Sequence, residues 1–176
     1  MADTGTPIIP DFGDEEESDR KLAIICSKGN LDMAYPGLVL ANAALGEGIK
    51  TTLFFTFWGF DMITKSRMND LQFSPLGNTA MHLPGSDKHL PQSLAPLPGM
   101  TSMATKMMKQ QIADLGIPEV PDFLDQIVAA GGTLWACRMS ADMNKLEEAD
   151  LRDDVSGIIN ASDFIEMTEG AQLLFI

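Results

Sequence analysis

Basic residues are scarce in this chain. Twelve Lys and Arg stand against 25 Asp and Glu, a formal net charge of −13 over 176 residues, which excludes the basic stripe that a nucleic-acid partner requires. Cysteine is nearly absent too: Cys26 and Cys137 are the only two, too few to staple a secreted scaffold, so a reducing, cytoplasmic setting is expected. No apolar run approaches the roughly 18 residues of a membrane helix. The stretch from Met1 to Arg20 lacks the basic-then-apolar order of a secretory signal. Glycine-rich phosphate loops are missing: Ser27-Lys28-Gly29-Asn30 is neither a dinucleotide fingerprint nor a Walker loop. No nucleotide cofactor is therefore expected. A Gly-x-Ser-x-Gly elbow is also lacking, which argues against Ser-His-Asp hydrolysis.

What is present alternates. Residues 1–20 carry Pro7, Pro10 and the run Asp14-Glu15-Glu16-Glu17, a composition that cannot bury enough apolar surface to order itself and reads as a solvated acidic tail. From residue 21 the chain reads as one α/β domain to residue 176. Lys21–Cys26 is a compact apolar run, the form of a strand buried on both faces of a parallel sheet. Apolar residues at helical spacing follow (Ala34, Leu38, Ala41, Leu45), predicting a helix over 31–47 with Pro36 tolerated near its start. A β-branched and aromatic strand is predicted over 50–57, with Trp58 and Gly59 at its carboxyl end.

After Pro121 the alternation resumes with a helix over 122–130, a strand over 133–137 and a helix over 140–148. A strand over 155–159, a helix capped by Ser162 and a last strand over 172–175 close the chain. The expected fold is a three-layer α/β/α sandwich around a mainly parallel five-stranded sheet.

Residues 66–111 interrupt this pattern with five prolines, both histidines and a cluster of methionines, and read as an insertion. Met100, Met103, Met107 and Met108 fall at spacings of three and four, predicting an amphipathic helix with a soft apolar face. That face serves core packing or a subunit interface on one reading, and membrane or partner docking on the other. His82 and His89, seven apart, fit no common zinc spacing, so no metal is assigned and a surface loop is expected. Met, His and Cys pooled from several chains would suit a soft metal as the alternative.

Cys137 carries the chemistry. It ends the apolar run Thr133-Leu134-Trp135-Ala136 just before a helix, and in open α/β sheets reactive groups gather at the carboxyl ends of strands. Helix amino termini and neighbouring cations such as Arg138 stabilise a thiolate. Met139 and Ser140 continue the motif. Cys26 also ends a strand and reads either as a buried core thiol or as a resolving partner for Cys137.

Two stretches, Phe54-Phe55-Thr56-Phe57-Trp58-Gly59 and Ala136-Cys137-Arg138-Met139-Ser140, together with Leu38-Val39-Leu40-Ala41-Asn42-Ala43-Ala44, resemble the DsrE/DsrF-like family of sulfur-relay proteins. The resemblance is to its longer branch, which carries an insertion between the second and third strands. It spans residues 21–176 and implies a homo-oligomeric α/β sandwich whose cysteine, matched here by Cys137, holds sulfane sulfur as a persulfide. It also implies donor and acceptor partners such as small sulfur-carrier or rhodanese-like proteins. The expected activity is that of a sulfur carrier or sulfurtransferase. A non-catalytic scaffold docking a partner or a membrane through the Met-rich insertion is the alternative, and a redox sensor using both cysteines is a third reading.

Overall fold

The computed structural model describes residues 19–83 and 85–176, so the acidic tail expected over 1–20 lies, except for Asp19 and Arg20, outside the described residues. Five strands form one sheet: β1 (Lys21–Cys26), β2 (Lys50–Phe55), β3 (Thr133–Cys137), β4 (Val155–Ile159) and β5 (Gln172–Phe175). Their order is β4-β3-β2-β1-β5, and every neighbouring pair is parallel. All strand carboxyl ends therefore share one edge.

Side chains alternate between the two faces of each strand. One face receives Ile24, Leu53, Phe55, Leu134 and Ala136 and packs on α1 (Leu31–Gly46) and α3 (Val120–Ala129). Helix α1 presents Ala34, Leu38 and Ala41 to it, and α3 presents Phe123, Leu124 and Ile127. The small residues of α1 bring it close to the sheet: a Cβ added at Gly37 would stand 3.5 Å from Cys26 Sγ.

The opposite face is thinly covered. Its buried cluster is Ala23, Phe54, Cys137 and Phe164, and α5 (Ala161–Met167) supplies the last of these. Because β4 and β5 lie at opposite edges, α5 has to carry the chain across this face. Phe164 stacks on Phe54 with ring centroids 4.4 Å apart and planes inclined by 14°.

Several boundaries differ from the sequence expectation. Strand β2 stops at Phe55, and a 3-10 segment, Phe57–Ile63, follows in place of two further strand residues. Helix α3 begins at Val120, because Pro121 fits a first helical turn. Helix α4 (Arg138–Asn144) starts directly after β3, two residues earlier than expected, and Lys145 in the left-handed region ends it well before Glu148. The cap of α5 is Asn160 rather than Ser162: Asn160 and Asp163 form a reciprocal capping box, with Asn160 N donating to Asp163 Oδ2 at 3.0 Å.

Between the 3-10 segment and α3 the chain is irregular except for α2 (Met100–Asp114). Its buried side chains are Ala104 and Thr105, with Met108 and Ile112 packed against the main core, whereas Met103 is half exposed. The methionine stripe is therefore divided, with Met108 on the core-facing side and Met103 exposed. Thr105 Oγ1 accepts from Phe73 N at 2.9 Å and donates to Thr101 O at 2.8 Å, pinning α2 to the segment before it. No helix among the described residues is long and apolar enough to cross a membrane.

A buried cation fastens the far side. The Arg152 guanidinium, 7 % exposed, grips both carboxylate oxygens of Asp154 at 2.9 and 2.6 Å, bonds Asp125 of α3, and donates to Pro121 O at 3.2 Å. Such bidentate pairs are the stronger class of ionic contact. In chemical denaturation, R152A should lower the unfolding free energy by about 2–4 kcal/mol. A cycle with D154A should give a coupling of about 1–3 kcal/mol; additive losses would show that the pair contributes nothing of its own.

Candidate functional site at the carboxyl edge of the sheet

The site grows from a turn that the sequence makes difficult. After β2, Thr56 is extended and Phe57 takes φ +47°, a left-handed conformation costly for a residue with a side chain. What holds it there is Ser140, fully buried on the first turns of α4. Its Oγ accepts from Phe57 N at 2.7 Å and lies 3.2 Å from Thr56 Oγ1. The turn leaves Phe57 and Trp58 exposed at the edge, Trp58 to 61 %.

Two glycines let the neighbouring loop approach. A Cβ at Gly59 would stand 2.1 Å from Cys26 O, and one at Gly29 would stand 2.3 Å from Trp58 O, both backbone atoms that cannot yield. Thr56 N donates to Cys26 O at 3.0 Å, continuing the sheet pairing past β2. Further out, Arg67 bonds Asp61 Oδ1 at 2.8 Å and Asn144 Oδ1 at 3.1 Å, while Asn144 Nδ2 donates to Ser140 O at 2.9 Å. The ends of β1 and β2, the 3-10 segment and α4 are thus one bonded frame. A cleft of about 410 Å³ opens beside it, lined by Gly29, Trp58, Asp61, Arg67 and Asp70. Cys137 does not line it.

Cys137 is the last residue of β3 and the N-cap of α4, with φ −77° and ψ 124°. Its side chain is 5 % exposed and lies in the thinly covered cluster with Phe54 and Phe164. Arg138 Nη2 donates to Ile158 O of the neighbouring β4 at 3.1 Å. Met139 is exposed beside it. The structure thus brings Trp58, Gly59, Ser140 and the Cys26 backbone into one frame and puts Cys137 at its rim. Thr56, Asp61, Arg67 and Asn144 escaped sequence reasoning; Thr56 lay inside the aromatic motif, but nothing in the spacing linked Arg67 to Asn144 across 77 residues.

The two thiols are kept apart. Cys26 packs on the α1 face and Cys137 on the α5 face, and β2 runs between their strands. Two strand spacings are roughly 9.6 Å, beyond the roughly 7 Å Cα separation a disulfide can span. Burial pushes the Cys26 thiol from 9.0 up to about 12. The structure therefore favours a core thiol at Cys26 over a resolving cysteine.

Comparison with known proteins agrees with this architecture. The DsrE/DsrF/DrsH-like family profile matches residues 18–175, and the chain belongs to that family. It is 38 % identical over 137 residues to the sulfur carrier protein DsrE2 of Allochromatium vinosum, a match covering 77 % of this chain and 85 % of that one. It is 27 % identical over 162 residues to the uncharacterized protein YrkE of Bacillus subtilis, covering 91 % of this chain and 99 % of that protein. Among solved structures, MTH1491 of Methanobacterium thermoautotrophicum, a protein of unknown function, superposes with a TM-score of 0.55 at 8 % identity, covering 90 % of this chain and all of that one. The ychN protein of E. coli gives 0.50 at 13 % identity, covering 89 % and 99 %. At those identities the likeness is one of fold.

Two outcomes test the separation of the thiols. In the native protein, iodoacetamide should leave Cys26 unmodified from pH 7 to 10, because its neutral thiol persists until about pH 12, and should label it once urea unfolds the chain. Peroxide should likewise yield no Cys26–Cys137 disulfide without denaturant. Peptide mapping that finds either product in the folded protein overturns the placement.

Proposed function

We propose that the protein carries sulfane sulfur on Cys137 within a sulfur relay. The observation that carries this reading is the 38 % identity to a sulfur carrier protein, in a chain whose sole thiol at the end of a central strand and the cap of a helix is Cys137. The terminal sulfur of a donor persulfide, R–S–SH, is attacked by the Cys137 thiolate. A new S–S bond forms to Cys137, the old one breaks, and the donor leaves as R–S⁻. An acceptor thiolate then attacks the terminal sulfur of Cys137–S–SH, restoring the Cys137 thiolate. Neither step consumes an oxidant or reductant, and the rate of each depends on thiolate fraction, leaving-group acidity and access.

Cys137 is the N-cap residue of α4, but its side chain makes no capping hydrogen bond and packs with Phe54 and Phe164. Arg138 keeps its positive charge and further N–H donors while Nη2 donates to Ile158 O at 3.1 Å, and it is the cation next in sequence to Cys137. Access is the controlling factor: with Cys137 only 5 % exposed, a donor has to displace part of its cover. Exposed Phe57, Trp58 and Met139 flank the frame and offer apolar contacts to a docking partner, around which the acidic surface favours basic residues on that partner. The partners this chemistry calls for are donor and acceptor proteins presenting a thiol on a protruding loop or tail.

Intact-protein mass spectrometry without reductant, after incubation with polysulfide or a persulfidated protein, tests the reading. The native chain should gain mass in whole sulfur atoms and lose it to an acceptor thiol; C26S should behave alike, and C137S should gain none. Loading that persists in C137S, or a native chain that takes up no sulfur, refutes the assignment.

A further inference from the structure

The segment between the 3-10 element and α2 carries a feature that sulfur transfer does not use. His82 and His89 face each other as an antiparallel bridge. Leu83 N donates to Lys88 O at 2.9 Å and Leu90 N to Met81 O at 2.8 Å, so the ladder bonds lie on either side of the pair. His82 and His89 therefore occupy a non-hydrogen-bonded position, where facing residues come closest, to roughly 4.5 Å between Cα atoms, and project from the same face. Their rings stand 4.4 Å apart at 35°. Both residues are exposed, and neither imidazole has a hydrogen-bond partner among the described residues.

A third donor lines the cavity that His82 borders. His82 lines a cavity of about 270 Å³ together with Phe73, Met81, Met107 and Met108. Met81 and Met108 are packed against the main core. Met107 alone of the three methionines is not so engaged, and α2 holds it over the same cavity.

We propose that His82, His89 and Met107 form a binding site for a soft monovalent cation, Cu(I). Two neutral imidazoles and one thioether match the ligand types that ion prefers. Zinc is disfavoured, because it draws on four ligands of the His, Cys and carboxylate types, and no group of three or more His, Cys, Asp or Glu side chains is placed for a metal among the described residues. Three neutral ligands leave the ion its positive charge, which a protein of net charge −13 attracts. The methionine stripe thereby acquires a use that its partial exposure does not give it as core.

The test is an anaerobic titration of the full chain with Cu(I) in competition with the chromophoric chelator bicinchoninate. The wild-type protein should withhold one equivalent from the chelator. H82A and H89A should each lose that equivalent while keeping the native far-UV circular dichroism, as surface substitutions do, and C137S should retain it. M107L, close in volume to the original side chain, should weaken Cu(I) retention at least tenfold. No copper withheld by the wild type, or copper that survives H82A and H89A but disappears in C137S, overturns the site; full retention by M107L overturns the three-ligand assignment.

Discussion

Alternation of side chains along parallel strands, with a period of two, governs where chemistry can occur in this molecule. It sends Cys26 beneath α1 and Cys137 to the face crossed by α5. The first environment is closed by two long helices and their Leu and Phe side chains, and the desolvation there keeps a thiol neutral. The second is a four-residue cluster under a helix of two turns. The same alternation that builds an ordinary core on one face thus leaves the other thiol near the surface of the fold, at the edge where all strands end.

That edge owes its shape to hydrogen bonds as well as to the buried Phe60, Met62 and Ile63 of the 3-10 segment. Phe57 in the left-handed region would relax if its amide were free, yet Ser140 Oγ accepts that amide at 2.7 Å. Ser140 is in turn fixed through its carbonyl by Asn144, and Asn144 by Arg67. A buried amide deprived of its acceptor costs about 1–3 kcal/mol, comparable to the strain of the turn, so neither the turn nor the α4 start is stable without the other. Because Cys137 precedes Ser140 by three residues on the same chain path, its placement follows from that mutual dependence.

Much of this was legible in the sequence, for identifiable reasons. Strands β1 and β3 are compact apolar runs bounded by turns, and Lys21–Cys26 and Thr133–Cys137 were found at the observed bounds. Period and length are both visible in one dimension. The 3-10 segment was not, because Thr56-Phe57 looks like more strand until Ser140, 83 residues after Phe57, claims the Phe57 amide. Helix α5 was given the wrong cap for a related reason: Ser162 and Asn160 are both good caps by composition, and the reciprocal Asp163 bond decides for Asn160. The methionine stripe of α2 is only partly buried, since Ala104 and Thr105 face the core with Met108 beside them. The closeness of His82 and His89 depends on strand register, which a spacing of seven does not encode.

The cover over Cys137 depends on α5. Its interior contact is Phe164 on Phe54, while Ile165 and Met167 remain exposed, so few buried contacts hold the helix down. Elements with few such contacts open locally at a small fraction of the global unfolding free energy. A thiol under α1 could be reached only by dismantling the main core, whereas a thiol under α5 can be reached by displacing one stacked ring and seven residues. The sulfur exchange proposed for Cys137 needs a nucleophile that is shielded between encounters and exposed during them, and the thin side of a two-faced sheet would meet both demands with the same short helix.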